Sequence, residues 1–293
     1  MFSPDPYALI FALLLELLDK PIWWKGHLVT PLIHPALHPV SLIYRLGAPF
    51  VKPGGITRGV AVLLIVATPM TAAAVLFRFV RGGELWWSLA EGYLLKFSFS
   101  ITHITYGCIE AYASGCPHGA VKEFVRRPLS PRDRWLINSA CVETAAESLV
   151  DSYISPLMWY LLLGLPGAWL QRAVNTADGL IGFKEFGPAG APAAVLDTAM
   201  NYLPARATAA FLLMFGIRCV EALGQEVGSV NAKWPISAIA AAMGVRLEKS
   251  GHYAVGCGTW PTEVEVAHAL WLIDAIAAYV GALFITAALA AAS

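Results

Sequence analysis

The chain has 293 residues, of which 57% are hydrophobic and only 14% charged, and its formal net charge is zero. Soluble domains carry about 25% charged residues, so this composition argues against a soluble protein and predicts an all-α, polytopic integral membrane protein. The lack of a basic excess argues against nucleic acid as a partner.

Uncharged runs predict where the chain crosses the lipid bilayer. A helical crossing takes about 20 apolar residues, and residues 59–77, 152–171 and 275–293 meet that length. Residues 7–18, 85–113 and 207–217 are weaker candidates, because they are short or contain charged residues. We therefore expect about five transmembrane helices. Pro156 and Pro166 predict that the 152–171 element is a broken or re-entrant helix, which lipid tolerates only where protein or water satisfies the backbone.

The rest of the organisation follows from what lies between these runs. We expect one membrane-embedded catalytic domain over residues 1–293, with polar loops at about 19–58, 114–135, 172–206 and 224–268. The lysines and arginines of residues 122–134 place that loop in the cytoplasm by the positive-inside rule. The five cysteines form no CxxC pair, so neither a disulfide framework nor a zinc knuckle is expected.

An acidic stripe follows the sequence LSPRD at residues 129–133. Ser130 is a suitable N-cap and Pro131 a suitable first helical residue, so a helix is predicted to begin there. Glu143, Glu147 and Asp151 then fall on one helix face. Like charges at this spacing repel each other and need a counter-ion. Water or a basic loop would serve, but the position beside an uncharged run favours Mg²⁺.

Two polar stretches follow, NTADGLIGFK at residues 175–184 and LDTAMNYLPAR at residues 196–206. The first reads equally well as a loop with one salt bridge, and it lacks the spacing of a P-loop. In the second, Asp197 and Asn201 share a helix face. Pro204 is predicted to begin a new helix with Arg206 in its first turn, and a helix N-terminus with a guanidinium is a good anion site.

The histidines and the polar stretch near residue 230 give weaker indications of a functional site. His34 and His38 are four residues apart, but each precedes a proline, which disfavours a helix at both positions. A zinc site is therefore not expected there. SVNAKWP at residues 229–235 offers Asn231 in a turn-like setting, with Tyr253 farther along the chain, and by itself reads as a loop.

Taken together and in this order, the motifs resemble those of a known family. The stretches LHPVSLIYRL, VETAAESLVDSYISP, NTADGLIGF, LDTAMNYLPARATA and SVNAKWPISAIAAAMGVRL resemble the adenosylcobinamide-phosphate synthase (CobD/CbiB) family of cobalamin biosynthesis. The resemblance covers most of the chain and is best over residues 142–247. It looks like a divergent member, because Val195 and Thr198 stand where the family carries charged residues.

The resemblance implies a membrane ligase that uses ATP and Mg²⁺. It would join the propionate carboxyl of adenosylcobyric acid to the amine of aminopropanol phosphate or ethanolamine phosphate. The expected metal ligands are Glu143, Glu147 and Asp151. The expected catalytic residues are Asp151, Asp178, Lys184, Asp197 and Arg206, with the two cations on phosphates. The expected substrate-binding residues are His38, Asn175, Asn201, Asn231 and Tyr253.

The resemblance also implies the setting of the protein. We expect a multi-pass protein of the cell membrane with its active site facing the cytoplasm, and other cobalamin-biosynthesis enzymes as possible partners. Two alternatives stay open. Intramembrane charges and broken helices also mark transporters and membrane sensors, and a paralogue could bind corrinoid without catalysis.

Overall fold

The computed structural model describes residues 3–24, 27–30, 32–115, 117–125 and 128–292. These ranges are mainly helical, with two short antiparallel hairpins. The helices are α1 (Pro6–Leu18), α2 (Pro39–Gly47), α3 (Ile56–Val80), α4 (Leu85–Lys96), α5 (Thr102–Ala113), α6 (Pro117–Phe124), α7 (Arg134–Leu149), α8 (Ser155–Ile181), α9 (Ala191–Leu213), α10 (Lys233–Met243) and α11 (Glu263–Ala292). The strands are β1 (Ile22–Trp24), β2 (His27–Val29), β3 (Arg246–Lys249) and β4 (Tyr253–Gly256).

Three helical segments of the described chain are long and apolar enough to cross a membrane. They are Ile56–Val80, Glu263–Ala292 and the continuous segment Arg134–Ile181, which joins α7 to α8. They contain the three long uncharged runs of the sequence, except for Ser293, which lies outside the described residues. The predicted count of about five crossings is not confirmed, because α1 has 13 residues and the 85–113 region is divided into α4 and α5.

The helix predicted to be broken does contain an interruption. Gly164 has φ 63° and ψ −158° inside α8, a backbone conformation that is essentially restricted to glycine. A π-helical turn, Val150–Ile154, joins α7 to α8. Such turns insert one residue into the helical repeat, so side chains before and after this turn face different directions.

Two predicted helix starts are wrong. The 129–133 stretch forms a turn, in which the Ser130 hydroxyl accepts from the Arg132 amide, and α7 begins only at Arg134. Pro204 lies inside the continuous helix α9 rather than at the start of a new one. A proline there cannot donate to the carbonyl four residues earlier. The indole Nε1 of Trp159 instead donates to that carbonyl, on Met200, at 3.1 Å.

Two predicted loops are largely helical. Residues 172–206 form the end of α8 and most of α9, and residues 224–268 hold α10, the β3–β4 hairpin and the start of α11. In that hairpin Arg246 pairs with Gly256 and Lys249 with Tyr253. Helix α9 packs against α8 and α10, and α3 packs against α8. These packed faces share one apolar core with much of the rest of the chain.

The cysteine spacing predicted no disulfide framework, but one disulfide is present. Cys219 and Cys257 are joined in a disulfide. The pairing depends on tertiary contacts: the Cys219 amide donates to Ala241 at the end of α10, while Cys257 directly follows β4. A separation of 38 residues without a CxxC spacing gave no sequence signal for it. Cys108 and Cys141 are free and buried.

Candidate functional site

Four carboxylates line one cavity of about 300 Å³ between α7, α8, α9 and the loop before α10. We call it the acidic cavity. Its polar side chains are those of Glu147, Asp151, Asp178, Asp197, Thr198, Ser229 and Asn231. The four acids belong to three separate motifs of the sequence, and the fold brings them together.

Each acid reaches the cavity from a different structural element. Glu147 lies in the last turn of α7, and Asp151 lies in the π-helical turn that follows. Asp178 lies in the last turn of α8, which ends beside Gly182. A Cβ atom on residue 182 would lie 1.8 Å from an Asp178 carboxylate oxygen. Only glycine therefore leaves room for that carboxylate.

Asp197 is oriented by a row of side-chain amides. Its Oδ1 accepts from Asn175 Nδ2 at 3.2 Å and from Asn201 Nδ2 at 3.0 Å. Gln171 Nε2 in turn donates to Asn201 Oδ1 at 3.2 Å. Asn201 is fully buried and Asn175 is partly buried, and both amides orient Asp197. Burial raises the pKa of the Asp197 carboxyl, and the two amide hydrogen bonds act in the opposite direction.

The donor set of the acidic cavity matches a hard divalent cation. Carboxylate and amide oxygens are the protein ligands that Mg²⁺ takes, together with water and substrate phosphates. Several carboxylates in one partly buried cavity also repel one another unless a cation is present. The residues of this chain therefore fit Mg²⁺, through Glu147, Asp151, Asp178 and Asp197.

The predicted acidic stripe is divided within α7, because Glu147 lines the acidic cavity and Glu143, one turn earlier, does not. The Glu143 carboxylate accepts from Ser139 Oγ at 2.8 Å and from the Tyr253 hydroxyl at 2.9 Å. The expectation that Glu143 shares a metal site with Glu147 and Asp151 is therefore not supported by this geometry, and Tyr253 likewise contacts Glu143 rather than the cavity.

The two predicted phosphate-binding cations lie outside the acidic cavity. Lys184 is exposed at the start of the 3₁₀ segment Lys184–Gly190. Arg206 lies within α9, so the predicted helix-terminus anion site does not exist. Its guanidinium stacks on the rings of Tyr202 and Trp234, 3.3 and 4.9 Å from their centroids. It also donates to Asn231 Oδ1 at 3.5 Å, which connects it to the rim of the acidic cavity.

His38 belongs to a second cavity, of about 450 Å³. As predicted, the residue before each proline of HPALHP is extended, with ψ 130° at both His34 and His38. His38 then caps α2, with Nδ1 accepting from the Val40 amide at 3.2 Å. We call this the basic cavity, because its titratable lining residues are His38, Lys96, His103, Arg172 and a single acid, Asp19.

The sequence reasoning missed Arg172 and Lys96 as site residues. Arg172 was assigned to a loop, although the spacing of Arg172, Asn175 and Asp178 is compatible with one helix face. Continuing α8 past the uncharged run would have placed it. Lys96 gave no local signal, because its partners Glu16 and Asp19 are about 80 positions away in the sequence.

Comparisons with known proteins agree with the resemblance found in the sequence. A family model described as CobD/Cbib protein matches residues 9–279. A "probable cobalamin biosynthesis protein CobD" of Aeropyrum pernix is 38% identical over 243 residues, which cover 76% of each chain. Proteins of the same name from Thermoplasma volcanium and Thermoplasma acidophilum are 34% and 36% identical, over 69% and 67% of this chain and 70% and 69% of theirs. No solved structure matches significantly.

Proposed function

Because the chain belongs to the CobD/Cbib protein family, we propose that it works in cobalamin biosynthesis as an adenosylcobinamide-phosphate synthase. The reaction would be an ATP-dependent amide ligation between adenosylcobyric acid and aminopropanol phosphate or ethanolamine phosphate. The observation that carries the proposal is the acidic cavity, where four carboxylates from three motifs converge. A ligase that uses ATP needs such a set to hold Mg²⁺ beside phosphates.

The proposed chemistry proceeds in two steps. A carboxylate is a poor electrophile, so one of its oxygens first attacks the γ-phosphorus of ATP, and the bond to ADP breaks. The amine nitrogen then attacks the acyl carbon of the resulting acyl phosphate. A C–N bond forms, the C–O bond to phosphate breaks, and the amine loses a proton. Bound Mg²⁺ would neutralise the developing charge on the phosphates.

The residues of the acidic cavity divide between two roles. Glu147 and Asp151 are proposed to hold Mg²⁺. Asp178 or Asp197 is proposed to accept the amine proton. Asp197 suits this role because burial raises its carboxyl pKa, which makes the carboxylate a stronger base than an exposed one.

Arg206 and Asn231 are proposed to serve the nucleotide and the corrin. Arg206 lies beside Lys233 and Trp234 in a cavity of about 320 Å³ between α9 and α10. Its link to Asn231 joins that cavity to the acidic one. Two cations and an aromatic ring next to a magnesium site suit the phosphates and base of a nucleotide. Asn231 is proposed to orient corrin amides.

One experiment tests the proposal. Purified protein in detergent is supplied with adenosylcobyric acid, aminopropanol phosphate, ATP and Mg²⁺, and the amide is sought by mass spectrometry. Product formation that requires both ATP and Mg²⁺ is expected. Corrinoid binding without turnover would favour a non-catalytic paralogue, and ligand movement across vesicles without ATP consumption would favour a transporter.

A further inference from the structure

The basic cavity contains a guanidinium that no described carboxylate neutralises directly. Arg172 Nη1 donates to Ser152 Oγ at 3.0 Å, and within the described chain none of the carboxylates lies within 4 Å of its nitrogens. Asp151 and Asp197 interact with it electrostatically from the acidic cavity. A guanidinium has five N–H donors, so most of its donors are left for a ligand.

Lys96 forms a fixed wall of the same cavity. Its Nζ lies 3.0 Å from Glu16 and 2.9 Å from Asp19, and its side chain is 4% exposed. The two carboxylates are further satisfied by backbone amides, including those of Ile101 and Leu32. Lys96 balances one of the two negative charges, the amides hydrogen-bond to the carboxylate oxygens, and the third N–H of Lys96 stays available.

His38 and Ser152 add uncharged donors. Because His38 Nδ1 accepts from Val40, the neutral ring carries its proton on Nε2. Burial, followed by the charges of Arg172 and Lys96, lowers the pKa of His38 to about 4, so the ring is neutral at pH 7. The Ser152 oxygen accepts from Arg172, which leaves its own O–H free to donate.

We propose that the basic cavity is the subsite for a phosphate monoester, with Arg172 as the main anchor. A phosphate dianion offers three strongly accepting oxygens, and planar guanidinium groups bind two of them at once. Its charge would neutralise Arg172, and Ser152 and His38 supply the remaining donors.

The identity of the ester rests on the proposed function, which requires an aminoalcohol phosphate. Ser152 and Asp151 are neighbours in one π-helical turn and line the basic and the acidic cavity, respectively. A small ester held at Ser152 and Arg172 by its phosphate therefore lies beside the turn that carries the acidic cavity. This assigns the ester phosphate to Arg172, and leaves Arg206 for the nucleotide.

Binding is measured without ATP or corrinoid, so that the result does not depend on turnover. Aminopropanol phosphate is titrated into the full-length protein in detergent by calorimetry, and aminopropanol without phosphate serves as the comparison ligand. Arg172→Gln is expected to weaken binding of the phosphate ester about tenfold or more. Arg58→Gln, at an exposed cation on α3, is the matched control and should bind like the wild type.

A second pair of variants keeps Arg172 intact. Ser41 lines the basic cavity from α2 and is partly buried. Ser41→Asp adds a negative charge that should exclude the phosphate, whereas Ser41→Asn has nearly the same shape without the charge and should bind. If Arg172→Gln fails to fold, this pair decides the question.

Three outcomes would overturn the subsite. The first is wild-type-like binding of the phosphate ester by Arg172→Gln, and the second is equal affinity of the two Ser41 variants for it. The third is binding of short-chain phosphatidic acid without binding of the aminoalcohol phosphate. The last outcome would assign the same donors to a lipid headgroup. Binding with the expected variant pattern but no ligation product would support the subsite and contradict the proposed function instead.

Discussion

At the residue scale, the acidic cavity shows how a few polar side chains are maintained within an apolar protein. Asp197 is held by the amides of Asn175 and Asn201, and Asn201 is itself buried and accepts from Gln171. Such a network costs free energy if one member is lost, because the others are left unsatisfied. A divalent cation would neutralise the charge that the four carboxylates of the acidic cavity share.

Asp151→Asn tests the metal role with little change in shape. We expect the ligation rate to fall about 100-fold or more. Replacing even a residue that only hydrogen-bonds to a metal ligand lowers metal affinity or activity about 10- to 100-fold. The rate of product formation is measured over a range of Mg²⁺ concentrations. Partial recovery at high Mg²⁺ would support a ligand role.

Glu143→Gln is the matched comparison. Glu143 carries the same charge on the preceding helix α7, but contacts Ser139 and Tyr253 outside the acidic cavity. Because Glu143 lies outside the acidic cavity, we expect a ligation rate within about threefold of the wild type. A threefold change corresponds to less than about 1 kcal/mol. A loss equal to that of Asp151→Asn would restore the three-acid metal site predicted from the sequence.

His38 should make stability depend on pH. Its pKa is about 4 in the folded protein, because of burial and of the charges of Arg172, Lys96 and His103, and about 6.5 when unfolded. Between these values the unfolded chain binds more protons, so stability falls as pH is lowered from about 6.5 to about 4. Melting temperature in detergent is the measurement. His38→Asn keeps a good N-cap and should flatten this part of the pH profile.

At the element scale, helix α8 combines a long uncharged run with two irregular turns. The π-helical turn before it carries Asp151 and Ser152, and the break at Gly164 changes the course of the helix before Arg172 and Asp178. Helix α8 packs against α3 and α9.

Gly164→Ala tests the break. At φ 63° and ψ −158° a side chain is strained by about 1–3 kcal/mol, so the melting temperature should fall. Gly179→Ala is the control in the same helix, since Gly179 lies within the helical part of α8 and a Cβ there meets nothing within 4 Å. It should be neutral or stabilise by up to about 1 kcal/mol. Equal effects of the two substitutions would contradict the assigned break.

At the scale of the whole molecule, three long apolar segments fit a membrane protein. The segment Arg134–Ile181 carries most of the site, and the basic stretch of residues 122–134 precedes it. Positive charges next to a crossing favour the cytoplasmic side, so we propose that this end of the segment faces the cytoplasm. Residues 126 and 127 of that stretch lie outside the described residues.

A labelling experiment tests this orientation. Ser130 is exposed just before α7, and Ser130→Cys is made in a background where Cys116 is replaced by serine. The other cysteines are buried or joined in a disulfide. A membrane-impermeant maleimide should label the new cysteine only after the cells are permeabilised, while a permeant reagent labels it in both cases. Equal labelling by the impermeant reagent in intact cells would place this loop outside.

The sequence by itself determined the helical class, the positions of three long apolar helices and the polar motifs that carry the family resemblance. These features are local: hydropathy is read over about 20 residues, and a motif keeps its spacing whatever the fold. For the same reason the extended backbone of His38 before Pro39 was predictable. Asp151, Asp178 and Asp197 could each be selected as candidates in this way.

Only the tertiary structure decided which candidates meet. Hydrogen bonds from Ser139 and Tyr253 hold Glu143 outside the acidic cavity, and an indole from α8 allowed α9 to continue through Pro204. The roles of Lys96 and Arg172 depend on contacts with residues that are distant in the sequence. Such effects depend on how helices pack and on which buried groups find partners, and neither is contained in local spacing.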